Sequence, residues 1–178
     1  SIKDLELALK AMSKENYDDP WWTPLPFSLP MPEKKIALLT KIEGLKIDPI
    51  ISAELKLVAE RLEDSGWIIE EPKAPNFIEA ANFQATLWLG EFRRTGGEAI
   101  SKEDDPDSNF IYSQMSRRCP DTSLEKFMDS LQQRARISRE WNKFFDQHPI
   151  ILCPITGDIP FPDLKDLESE ESFDLVFD

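Results

Sequence analysis

Apolar residues recur along this chain with different rhythms, and each rhythm predicts a different element. Over residues 2–12, Ile2, Leu5, Leu9 and Met12 fall on one stripe of a helix, and Asp18-Asp19-Pro20 stops its continuation. Lys35 to Thr40, KIALLT, is a short continuous apolar run suited to a buried strand. Asp48-Pro49 then supplies an N-cap with proline at the first helical position. The helix that follows uses Ile51, Leu55, Val58 and Leu62 as its buried stripe and ends at Ser65-Gly66. Trp67, Ile68 and Ile69 read as a second strand. Strand, helix and strand in this order make a βαβ unit, which requires a parallel pair.

Asn76 and Glu79 resemble a capping box opening the helix NFIEAANFQATLWLGEFRR, whose aromatic face is Phe77, Phe83, Trp88 and Phe92. Gly96-Gly97 stops it. Thr122 and Glu125 resemble another capping box, before the longest helix, which ends ahead of His148-Pro149, and Ile150 to Cys153 is a third buried strand. Three stretches lack periodicity. Residues 20–35 hold five prolines and form an extended connector anchored by Trp21, Trp22 and Phe27. Residues 98–121 read as a polar loop containing EDDPDSN, and residues 158–178 as an acidic, irregular tail. The sum is an α/β fold in one domain or domain fragment spanning residues 1–178, with strands near 35–40, 67–70 and 150–153 in a mainly parallel sheet. Three strands leave that sheet incomplete for the helical and aromatic surface around it.

Charge narrows the partners. With 34 acidic against 21 basic residues the net charge is −13, which opposes binding to nucleic acid or to anionic membranes. An apolar fraction of 40% can fill a core, and no stretch approaches a membrane span. The first residues lack a signal-peptide pattern, and Cys119 and Cys153 show no metal or disulfide spacing, so a cytoplasmic setting is expected.

Candidate chemistry is sparse. Nucleophilic catalysis needs a serine or cysteine beside a base and, often, a glycine-rich turn, and none is visible. The glycine pair reads as a helix stop, and His148, the single histidine, as punctuation at a helix end. Asp105, Asp107 and Asn109 carry the first spacings of a calcium loop, but Phe110 and Ser116 occupy the positions that need glycine and glutamate, so a solvated acidic loop is expected. Trp88 and Phe92 at i and i+4 suit a core face better than a ligand pocket.

Taken in order, DLELALKAMS, DPWWTPLPF, KIALL, DPIISAELKLVAERLEDSGWIIEE, NFIEAANFQATLWLGEF and PIILCPITGDIPFP resemble the amidase signature family over nearly the whole chain. The order and spacing of the six segments carry the resemblance. It implies an α/β/α sandwich around a large mixed sheet, and amide hydrolysis by a serine, a cis-serine and a lysine. Those residues lie upstream of the family's counterpart of DLELALKAMS, so by resemblance no catalytic residue falls here; they are expected before Ser1. The chain is then expected to be a later-middle part of a longer enzyme, inactive alone, that shapes the pocket for a small-molecule amide without a cofactor or metal. Thr156, ending a strand similar to the family's LLTPT segment, is the implied pocket neighbour, with Trp88 and Phe92 behind it. Open sheet margins would allow a homo-oligomer. Two other readings stay open: a stand-alone acidic binding or regulatory module, and the glutamine-hydrolysing subunit of a tRNA-dependent amidotransferase.

Overall fold

The structure, a computed structural model, describes residues 1–24, 30 and 32–177 and falls into two units, Ser1–Glu33 and Lys34–Asp178. In the first unit, α1 (Ile2–Met12) starts from a reciprocal capping box between Ser1 and Asp4. The indole N–H of Trp22 donates to the carbonyl of Ser13 at 3.1 Å, holding part of the connector to the end of α1. Trp21, expected to anchor as well, is 87% exposed. Phe27 lies outside the described residues.

The second unit runs β1 (Lys35–Leu38), α2 (Pro49–Asp64), β2 (Ile68–Glu70), α3 (Phe77–Thr95), α4 (Gly97–Glu103), α5 (Pro106–Arg118), α6 (Leu124–Gln147) and β3 (Ile150–Leu152), then a 3-10 turn (Lys165–Leu167) and α7 (Glu170–Phe177). This is an α/β arrangement. The strand order is β2-β1-β3 and both pairings are parallel, with Ile36 opposite Ile69 and Ile150. The central strand must be apolar on both faces, and Ile36, Ala37, Leu38 and Leu39 are all buried. The Asp48 carboxylate accepts from the Ile50 amide at 2.7 Å and caps α2 as Asp48-Pro49 predicts. Ile51, Leu55 and Leu62 lie on the inward stripe of α2 as expected, but Ala59 rather than Val58 completes it, Val58 being turned outward.

Two of the irregular stretches are ordered. Residues 98–121 hold α4 and α5 in place of a polar loop. Asp105 is the N-cap of α5, its carboxylate accepting from the Ser108 amide at 2.8 Å, and Pro106 occupies the first helical position. The acidic run is therefore a helix start, and the Asp105 carboxyl is held below the usual aspartate range by its hydrogen bonds from Ser108. The start of α6 shifts by one residue: Ser123, rather than Thr122, caps it by accepting from the Lys126 amide.

The tail also folds back. Ser169 accepts from the Ser172 amide at the start of α7, and Phe173 reaches 0% exposure, edge-on to Phe110 of α5. Asp174 receives hydrogen bonds from Arg117 at 2.6 Å and Arg118 at 2.8 Å, clamping α7 to the last turn of α5. The Arg118 guanidinium, then that of Arg117, holds the Asp174 carboxyl below the usual aspartate range. A depressed carboxyl stabilises the fold fully above its unfolded-state value, and that contribution disappears as pH falls through the lowered folded value. The protection of α7 amides, taken relative to the intrinsic exchange rate at each pH, is thus expected to fall on acidification through that window, and Asp174→Asn to remove the acid step attributable to this clamp. An acid step in α7 exchange that Asp174→Asn leaves unchanged would refute the assignment.

Candidate functional site

An apolar cavity of about 440 Å³ opens where α3, α4, α5 and the 3-10 turn meet. Its aromatic wall starts from two residues of α3 one turn apart. Trp88 stacks on Phe92 with ring centroids 6.0 Å apart, and Phe92 meets Tyr112 of α5 edge-on at 5.7 Å. Both glycines of the Gly96-Gly97 pair leave room for this packing. A Cβ on Gly96 would overlap the Phe92 ring, and one on Gly97 would stand 2.6 Å from the Tyr112 hydroxyl. The pair ends α3, as the sequence suggests, and also lets two rings approach the backbone.

The rest of the lining is aliphatic, with Leu89, Ile111 and Met115 on the helices and Leu164 leading into the 3-10 turn. Leu89 is 2% exposed, whereas Trp88 is 47% exposed, so the cavity has a sealed floor and an open aromatic lip. Leu164 holds a left-handed φ of 59°, a conformation that costs a non-glycine residue about 1–2 kcal/mol. The charged groups are two acids, Asp107 in the first turn of α5 and Asp166 in the 3-10 turn; no basic residue is among the described lining residues. Such a site can enclose a flat apolar body and present carboxylates to whatever the body carries. A separate groove of about 740 Å³ behind Trp88 is lined by α3 and α6 residues, with Arg93, Arg94 and Arg134 along it.

Of the three sequence candidates, Trp88 and Phe92 share the cavity. Thr156 does not line it. It sits past β3 in an exposed turn, where its hydroxyl donates to the Asp158 carbonyl at 2.9 Å. Tyr112, Ile111 and Met115 carry no signal in a segment that reads as loop, and Asp107 is visible in the sequence only as a calcium-loop position; Asp105-Pro106, the same pair of letters that starts α2, is the available signal.

His148 is the C-cap residue of α6, its amide donating to the Phe144 carbonyl at 2.9 Å. Its ring is buried, and Nδ1 lies 3.3 Å from a Glu70 carboxylate oxygen that also meets the Lys35 ammonium at 3.0 Å. Among the described residues no serine or cysteine hydrogen-bonds to this imidazole, and no group of three or more His, Cys, Asp and Glu is placed to hold a metal. The serine hydroxyls of Ser1 and Ser172 donate to the carboxylates of Asp4 and Glu168 at exposed positions near helix starts, and among the described residues no serine or cysteine is hydrogen-bonded to a histidine or lysine base.

No model of a known protein family matches the chain. Over 157 residues, 87% of its length, it is 28% identical to a protein named indoleacetamide hydrolase from Bradyrhizobium diazoefficiens. It is also 28% identical over 157 residues to a protein of the same name from Bradyrhizobium japonicum. The matched region is 30% of the first and 34% of the second, so the chain spans about a third of the length of these curated relatives.

Proposed function

We propose that this chain is the pocket-forming part of an amidase signature enzyme that hydrolyses a small carboxamide, with the reacting serine and its lysine base supplied by other parts of a longer polypeptide. The observation that carries the reading is the continuous similarity to two proteins named indoleacetamide hydrolase, over 87% of this chain but only about a third of theirs. The parallel βαβ sheet agrees with one portion of an α/β/α sandwich. In this reading a serine oxygen attacks the amide carbon, backbone amides hold the developing oxyanion, ammonia leaves, and water cleaves the acyl-serine ester. The residues described here enclose the non-reacting body of the substrate, for which the cavity walled by Trp88 and Phe92 is the proposed place.

The test is ammonia release by the polypeptide encoded in the natural reading frame, offered small aromatic and aliphatic carboxamides. Turnover of carboxamides by that polypeptide is the expected result. A reading frame that yields a longer, folded polypeptide without amide hydrolysis would overturn the proposal.

A further inference from the structure

The cavity combines apolar walls with acidic side chains and no basic one among the described residues. The walls are aromatic and aliphatic, and the volume of about 440 Å³ lies in the range of small-molecule sites, about 300–1,000 Å³. Trp88, Phe92 and Tyr112 present ring faces and edges that suit a flat aromatic group. Asp107 and Asp166 are the ionisable side chains on the lining, and among the described residues no lysine, arginine or histidine joins them there. Lys165, next in sequence to Asp166, is paired with Glu168.

We infer that this cavity takes an uncharged aromatic molecule of the carboxamide class and discriminates against the corresponding carboxylate. The inference rests on the amide-hydrolase reading for its choice of ligand class. A carboxamide loses modest hydration on entering an apolar site, and its N–H groups can donate to a carboxylate. A carboxylate of the same shape loses far more hydration, has no N–H to donate, and meets two like charges, Asp107 exposed and Asp166 half-buried. In the balanced reaction, amide plus water gives carboxylate plus ammonium, so the product made from a bound substrate is the species that the cavity holds less well. Product release is thereby built into the charge of the pocket.

Phenylacetamide and phenylacetate share a ring and differ mainly in this charge, which makes them the probes. Calorimetric titration of the full chain at neutral pH is expected to give phenylacetamide at least ten-fold tighter binding than phenylacetate. The double variant Asp107→Asn with Asp166→Asn should bring the two affinities to within about two-fold, because a ten-fold preference corresponds to only about 1.4 kcal/mol of differential charge interaction. Ile111→Trp, which fills the cavity, should abolish binding of both. Equal affinities for the two probes, binding of neither, or a preference unchanged in the double Asn variant would overturn the inference. The double variant adds no bulk, so it decides the matter even where Ile111→Trp fails to fold. Amide turnover by the longer polypeptide with no probe binding here sinks this inference alone. Selective binding here without turnover sinks the amide-hydrolase reading alone.

Discussion

Phe173→Ala is expected to lower stability by about 3–5 kcal/mol, the cost of removing a buried phenylalanine ring and leaving its cavity. Phe173 is 0% exposed and stacks on Phe177 with centroids 4.3 Å apart, while its edge contact with Phe110 joins α7 to α5. The loss is large against a total of about 5–15 kcal/mol for an ordinary domain. A local outcome competes with global unfolding, since α7 could simply detach. Its eight residues are too few for an independent helix, so detachment would melt it. Fast exchange confined to 170–177 would identify detachment, whereas a lowered denaturation midpoint for the whole fold would show that α7 is integral to the core. The packing of Phe173 against Phe110 of α5, with its ring fully buried, favours the second. A midpoint and an α7 exchange pattern both equal to those of the unsubstituted protein would contradict this placement of the ring.

The 178-residue chain on its own is expected to hydrolyse carboxamides at least about 10⁶-fold more slowly than the longer polypeptide, the scale of loss when nucleophile and base are both missing. The physical reason lies in the side chains at hand. His148 is buried against Phe144 and Glu70 at the end of α6, and Trp88, Phe92 and Tyr112 contribute surface but no nucleophile paired with a base. Pocket formation and bond cleavage are then separable, and ligand binding should survive where turnover does not. Ammonia release from a carboxamide, measured for the two polypeptides at equal concentration, checks the ratio. Comparable rates would place the chemistry inside these 178 residues.

Legibility followed how strongly each segment's pattern was tied to one structure. KIALLT was readable because a central parallel strand tolerates only apolar residues, and Asp48-Pro49 because cap and proline reinforce each other. Asp105-Pro106 carried the same signal, but it was embedded in an acidic run whose charge suggested solvent, and α5 was missed along with Tyr112, Ile111 and Met115. The acidic tail hid α7 in the same way: Ser169 caps a segment in which Phe173, Val176 and Phe177 have helical spacing. Charge reports where a side chain points more than whether its backbone is helical. Trp88 and Phe92 were visible as an i, i+4 pair on α3 that suited a core face better than a pocket, because their enclosure by α5 and the 3-10 turn depends on contacts distant in sequence. Thr156 was placed by analogy alone, and its hydroxyl is engaged within its own turn.

The most direct measurement is mass-spectrometric mapping of a serine-directed fluorophosphonate on the polypeptide encoded by the natural reading frame, after inactivation of its amide hydrolysis. The expected result is one modified serine outside this 178-residue chain, with the peptides lining the Trp88–Phe92 cavity unmodified. A modified serine within these residues, or complete inactivation with no serine modified, would contradict a chain that forms the pocket and leaves the chemistry to residues elsewhere.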